Sequence, residues 1–222
     1  VSGEPLRRAY AWFKEGYYAR RYGYPISGSA ILKRALGLAL FALPAARDRL
    51  DMRIIFLPAM ASGRLLDVGC GNGSALALMR AMGWQVEGVD MDAAAVGVTR
   101  DLGIPARVGT LQSQRYPDAS FDAVMMSHVI EHVPDPLDVL TECHRILRPG
   151  GRLAIATPNV ESVGHARFGR EWRGLEPPRH LQLFSATSLR TLAREAGLRY
   201  KPLAVIQQAY VEGVSTRRVT EV

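Results

Sequence analysis

The chain has 222 residues, of which 48% are hydrophobic and 22% charged, and its net charge is +7. That length has room for one α/β domain with a substantial core plus extensions, and the balance excludes a disordered chain. Two cysteines, Cys70 and Cys143, exclude a disulfide framework and a cysteine-based metal centre, and point to a reducing, cytoplasmic setting.

Of the 28 basic residues only Lys14, Lys33 and Lys201 are lysine. The basic balance permits binding to nucleic acid or to an anionic membrane, but the arginines are scattered, with short pairs such as Arg20-Arg21, and form no dense stripe that argues for either. No secretory leader is evident, and Val1 in place of an initiator methionine points to a processed or partial chain.

Residues 1–27 concentrate the aromatics: Tyr10, Trp12, Phe13, Tyr17, Tyr18, Tyr22 and Tyr24. Two readings stand, a cap whose rings fold over a ligand or a helix packing its rings on the domain edge. Residues 29–50 read as a helix broken at Pro44. Its apolar centre is too short and too charged to span a membrane. Lys33, Arg34, Arg47 and Arg49 flank that centre and permit a membrane-surface contact by residues 29–50, while a helix packed near the substrate mouth is the more ordinary reading. Residues 1–50 are taken as an N-terminal helical and aromatic cap, and residues 51–222 as the main domain.

From there strands and helices alternate. Strands are expected at 64–68, 86–90, 106–109, 121–127, 151–157 and 200–206, with helices at 73–82, 93–102, 136–147 and 185–196. Ser185 or Thr187 caps the last helix and Gly197 ends it. Ala209–Val214 is either a short seventh strand or leaves that strand missing. The rhythm predicts an α/β, doubly wound, mostly parallel sheet of six or seven strands with helices on both faces. Residues 160–184 show no period, as befits a lid or binding loop.

The chemistry gathers at the ends of the strands, where open parallel sheets bind ligands. Leu65-Leu66-Asp67-Val68-Gly69-Cys70-Gly71-Asn72-Gly73 is a buried strand, an acid and a glycine turn opening a helix. Glycines there admit positive φ and leave the backbone open to a ligand at the helix N-terminus. Asp90 ends the second strand, where a carboxylate can accept both hydroxyls of a ribose. Joined to the glycine loop, it indicates an adenosine-bearing ligand.

The pattern Asp67-x-Gly69-x-Gly71-x-Gly73 resembles the first motif of the class I S-adenosylmethionine-dependent methyltransferases. Phe121-Asp122-Ala123-Val124, the run Ser127 to Pro136 containing Glu131-His132, the turn Arg145 to Leu153, and Thr157-Pro158-Asn159 are similar to successive segments of one branch. That branch includes ubiquinone-biosynthesis-type O-methyltransferases, and Trp172 to Ser185 also resembles it.

The resemblance implies a Rossmann-like fold and transfer of a methyl group from S-adenosylmethionine to a small-molecule or lipid-like acceptor, with a hydroxyl as the favoured target. Carried over by position, Asp67, Gly69, Gly71 and Gly73 hold the methionine end. Asp90 takes the ribose and Met91 packs on the adenine. The branch places an acid after the third strand; here Thr110 and Leu111 stand instead, and the Thr110 hydroxyl or a backbone carbonyl meets the adenine amino group. Ser127 and His128 lie beside the sulfonium. His132 is the first candidate for general base, held by Glu131 or another carboxylate, and shares a face with His128 if the segment is helical. The alternative for His132 is a structural role closing the loop before Pro134. Trp172 walls the acceptor pocket, and His180 is an alternative base or a lid anchor. Arg167, Arg173 and Arg179 suggest an acidic acceptor. No metal is expected. The rivals are an RNA methyltransferase, a non-catalytic S-adenosylmethionine-binding domain and a nicotinamide oxidoreductase.

Overall fold

A computed structural model describes the backbone of residues 4–204 and 208–215 and the side chains of residues 10–199. Three helices come first: α1 (Glu4–Tyr22), α2 (Ala30–Phe41) and α3 (Pro44–Arg53), with Pro44 opening α3 as a first-turn residue. Then follow β1 (Arg64–Val68), α4 (Ser74–Ala81), β2 (Gln85–Asp90), α5 (Ala93–Asp101), β3 (Ala106–Val108) and β4 (Phe121–Ser127). The chain continues with α6 (Pro136–Ile146), β5 (Leu147–Pro158), α7 (Val163–Phe168), α8 (Ala186–Glu195), β6 (Leu198–Ala204) and β7 (Gln208–Ser215).

The strand order is β3-β2-β1-β4-β5-β7-β6. All seven strands form one sheet: β1–β5 make a contiguous parallel block of five, and β7, antiparallel to β5, and the outer β6 bring the count to the upper of the two expected values. The open question over residues 209–214 is thereby answered, since Gln208 to Val214 pair with Pro158 to Arg152. β5 starts earlier than its expected first residue, Gly151. Leu147 pairs with Phe121, the Arg148–Gly151 turn bulges out with Gly150 at φ 78°, and Arg152 resumes opposite Ala123.

The side chains of the central strands alternate between two cores, as a sheet covered on both faces requires. Leu65, Ala123, Met125, Ala154 and Ala156 join α4, α5 and the N-terminal helices on one face. Leu66, Val68, Val124, Met126, Leu153 and Ile155 meet α6 and α8 on the other. Helix starts follow local chemistry. Asp92 caps α5 by accepting from Ala94 N, and Asp135 caps α6. Ser185, not Thr187, caps α8 in a reciprocal pair with Ser188.

The aromatic N-terminal segment packs on the domain edge. Tyr17 is buried and its hydroxyl donates to Asp51 at 2.6 Å. Tyr24 donates to the Leu57 carbonyl and accepts from Trp84 Nε1, just before β2. α1 and α2 meet backbone to backbone at two glycines. A Cβ on Gly16 would lie 1.7 Å from the Lys33 carbonyl oxygen, and one on Gly37 would lie 2.4 Å from the Gly16 carbonyl carbon. Among the described residues, no helix is long and apolar enough to cross a membrane.

Candidate active site

Where β1 ends, the chain must turn sharply into α4. Gly69, Gly71 and Gly73 all adopt positive φ, of 75°, 52° and 73°. A Cβ on Gly69 would come within 2.2 Å of Val129 Cγ2, so the loop after β4 can cross here only over a glycine. A Cβ on Gly71 would meet nothing within 4 Å, which leaves its backbone open to a ligand. Gly71 N donates to Asp90 Oδ2 and Asp92 N to Oδ1, at 2.8 and 2.9 Å. Each carboxylate oxygen of Asp90 retains a second lone pair for a ribose hydroxyl.

Asp67 is only 4% exposed and has no hydrogen-bond or ion-pair partner among the described residues. Burial, reinforced by the neighbouring charge of Asp90, pushes its carboxyl well above the ordinary value. An uncompensated buried carboxylate is costly, and an ammonium group would relieve it.

A cavity of about 720 Å³ opens at the carboxyl ends of β1, β2 and β4. Gly69, Asp90, Met91, Thr110, Leu111, His128 and His132 line it, whereas Asp67, Gly71, Gly73 and Ser127 lie outside its lining. Met91 is 76% exposed and available to pack against a ring. Thr110 Oγ1 already accepts from Ser113 N, and its carbonyl accepts from Ser113 Oγ and Gln114 Nε2. The adenine contact expected of Thr110 therefore competes with the turn it closes. Gln112 and Asp138, joined by a 2.6 Å hydrogen bond, also line the cavity. Sequence reasoning missed both, and the only signal was the position of Asp138 in the first turn of α6.

A second cavity of about 690 Å³ adjoins the first. Phe168, Glu171, Trp172, Arg173, Glu176 and His180 contribute to its walls. His128, His132 and Arg179 line both cavities. No residue from 10 to 63 lines either, so the second cavity is walled largely by the 160–184 segment and not by the described aromatics of the N-terminal segment. Trp172 is held in place by His165, whose ring centroid lies 5.0 Å away, and by close approach of Gly164 and Gly174. Arg167 does not line the cavity, and Arg179 is paired with Glu176 at 2.8 Å. Glu171 and Glu176 share the lining with Arg173 and Arg179, so the walls are charge-balanced rather than basic.

The loop after β4 departs from expectation in two respects. His128 sits at φ 55° and residues 130–132 form a single 3-10 turn, so His128 and His132 do not share a helix face. Glu131 holds His128 rather than His132. His128 Nδ1 lies 3.2 Å from Glu131 Oε1, and Thr157 Oγ1 donates to Oε2 at 2.9 Å. Burial alone would raise the carboxyl of Glu131, but hydrogen bonds from His128, the backbone and Thr157 outweigh it and hold the group below its ordinary value. The Glu131 carbonyl also accepts from Leu181 N and Gln182 N, which ties the lid to the floor of the site.

His132 Nδ1 lies 2.8 Å from the Arg179 carbonyl oxygen, and His180 Nδ1 lies 2.8 Å from that of Gly174. Each ring donates through Nδ1; in its neutral form His132 then has Nε2 as an unprotonated acceptor, whereas His180 Nε2 lies 3.4 Å from Glu176 Oε2. The two rings are 4.8 Å apart, edge to face. One ligand atom from each of Glu131, His132 and His180 falls within 4.8 Å of the others.

The open backbone at Gly71, the paired acceptors of Asp90 and the lone buried Asp67 fit a ligand with an ammonium group and a ribose. Comparison with known proteins agrees. Residues 37–202 match the family model described as a methyltransferase domain. A ubiquinone biosynthesis O-methyltransferase of Pseudomonas aeruginosa is 31% identical over 157 residues, covering 65% of this chain and 68% of that protein. One from Alkalilimnicola ehrlichii is 31% identical over 176 residues, covering 70% and 71%. The crystal structure of an S-adenosylmethionine-dependent methyltransferase from Mesorhizobium loti shares the fold. Its TM-score is 0.63 at 18% identity, over 75% of this chain and 97% of that one. The chain belongs to the methyltransferase-domain family and is an S-adenosylmethionine-dependent methyltransferase.

Proposed function

We propose that the chain methylates a hydroxyl of a small-molecule or lipid-like acceptor bound in the cavity walled by Trp172, with His132 as general base. The observation that carries this reading is that His128, His132 and Arg179 line both cavities, so the reacting groups meet at their boundary. The donor, when bound, supplies an electrophilic methyl group on a sulfonium. The charge-balanced wall of the second cavity suits a neutral, polar acceptor better than an acidic one. The names of the curated relatives favour oxygen as the target.

In this reading the protein's work is alignment and proton removal. Asp67 neutralises the donor's ammonium group, Asp90 fixes the ribose, and Met91, with Thr110 and Leu111, borders the adenine. Ser127 and His128 stand at the sulfonium end, with Glu131 as the positioning residue that orients His128. The Arg179 carbonyl sets the His132 tautomer, so Nε2 takes the acceptor hydroxyl's proton as the carbon–oxygen bond forms and the carbon–sulfur bond breaks. His180 anchors the lid through its bond to the Gly174 carbonyl and packs its ring against that of His132.

The test is release of S-adenosylhomocysteine across a panel of hydroxylated acceptors, for the wild type and for His132→Ala. Loss of a general base lowers turnover by about a hundredfold or more, with donor affinity by calorimetry unchanged. Equal turnover would refute the assignment of His132. Donor binding with no release on any acceptor would favour a non-catalytic binding domain.

A further inference from the structure

The first 53 residues carry ten lysines and arginines against four acids, a net charge of +6, whereas residues 54–222 hold eighteen against seventeen. Nearly all of the chain's excess charge therefore resides on the N-terminal segment, of which no described residue lines the two cavities of the candidate site. Within that segment α2 is inverted. Lys33 points inward, where its Nζ contacts Glu15 Oε2 at 2.5 Å and the Ser27 carbonyl at 2.6 Å. Ile31, Leu32, Leu38 and Leu43 face outward, with Ile31 88% exposed.

At about 100° per residue, Ile31, Ala35, Leu38 and Ala42 fall along one line of the helix, opposite the buried Lys33, Gly37 and Leu40. Arg34 is the one charged side chain on the exposed side. A helix facing water shows the reverse pattern, and apolar patches of this kind mark interaction surfaces. The glycine contact between α1 and α2 brings the backbones together as helices in an apolar medium often do. Two copies meeting here would bring two +6 segments together. Charge complementarity selects an anionic surface instead.

We propose that the outward face of α2 docks on an anionic phospholipid bilayer. The helix lies in the interface plane, Ile31 and Leu38 enter the acyl boundary, and the surplus cations of the segment meet headgroup phosphates. The proposal is independent of the acceptor's identity, because no residue from 10 to 63 lines either cavity.

The experiment is co-sedimentation with vesicles of phosphatidylcholine alone or of phosphatidylcholine and phosphatidylglycerol in a three-to-one mixture, at low and high salt. The wild type binds the anionic vesicles, releases them at high salt, and binds the neutral ones at least about tenfold more weakly. Ile31→Ser/Leu38→Ser loses about tenfold in anionic-vesicle affinity while keeping the thermal midpoint and donor affinity of the wild type. Arg34→Glu, which leaves the apolar face whole, also weakens binding. Failure of the wild type to bind, or equal binding by the double variant, overturns the proposal. So does a wild-type dimer in sedimentation that Ile31→Ser/Leu38→Ser converts to monomer, which would make the face an interface between copies.

Discussion

Replacing Asp67 by Asn is expected to strengthen the fold and weaken the enzyme. The side chain is 4% exposed, has no partner among the described residues, and its carboxyl is held well above the ordinary value by burial and then by Asp90. A raised carboxylate binds its proton more tightly in the folded state than in the unfolded one. Its contribution to stability is therefore present at acid pH and is lost as pH rises through the raised value. At neutral pH the ligand-free protein bears the cost of either burying the carboxylate charge or protonating it, and Asn removes that cost at nearly constant shape. The gain is on the order of 1 kcal/mol, a rise of roughly 2–4 °C in the thermal midpoint for a chain of this size. The donor's ammonium group, in contrast, loses a charge-assisted partner in a water-poor site, worth about 3 kcal/mol or on the order of a hundredfold in affinity. Calorimetry with S-adenosylhomocysteine measures the second effect and differential scanning fluorimetry without ligand the first. Affinity within about threefold of wild type, a change of under about 1 kcal/mol, or a lowered ligand-free midpoint would refute the reasoning.

Other substitutions probe neighbouring parts of the site. Gly69→Ala places a Cβ 2.2 Å from Val129 Cγ2 on a residue at φ 75°; it should lower the midpoint by an overpacking cost of about 1–3 kcal/mol and weaken donor binding, whereas a wild-type midpoint would show that the β4 loop moves aside freely. Glu131→Gln should cost about 1–3 kcal/mol at neutral pH by removing the charged partner of His128 and Thr157. Because the Glu131 carboxyl lies below its ordinary value of 4.5, its contribution is full above that value and fades as pH falls through the lowered one. Melts of both proteins from neutral to strongly acid pH should therefore converge at the acid end, and a gap that persists there would contradict the assignment.

What the sequence discloses and what it conceals follow from how local each constraint is. The glycine loop, Asp90 and the cap of α8, narrowed to Ser185 or Thr187, are legible because the backbone within a few residues demands such side chains. The alternating cores are legible because the strands run parallel and are covered on both faces. The partner of Glu131 is not legible, because one 3-10 turn and a left-handed His128 decide whether the carboxylate meets position 128 or 132. The bond from His132 to the Arg179 carbonyl joins residues 47 positions apart across an aperiodic segment, and no spacing rule reaches that far. The aromatic N-terminus has ring spacing suited to any apolar surface, so only tertiary packing assigns Tyr17 and Tyr24 to the domain edge. Residues 205–207 and 216–222, which include the end of the expected sixth strand, lie outside the described residues.

The central claim is that a methyl group passes from S-adenosylmethionine to an acceptor oxygen at the boundary shared by His128, His132 and Arg179. Incubation with donor carrying a deuterated methyl group and a fractionated extract of small molecules and lipids, followed by mass spectrometry, tests it directly. The account predicts a labelled methyl ether formed mole for mole with S-adenosylhomocysteine, and loss of that product in His132→Ala. Label appearing on nitrogen, carbon or RNA, or full label transfer by His132→Ala, would contradict it.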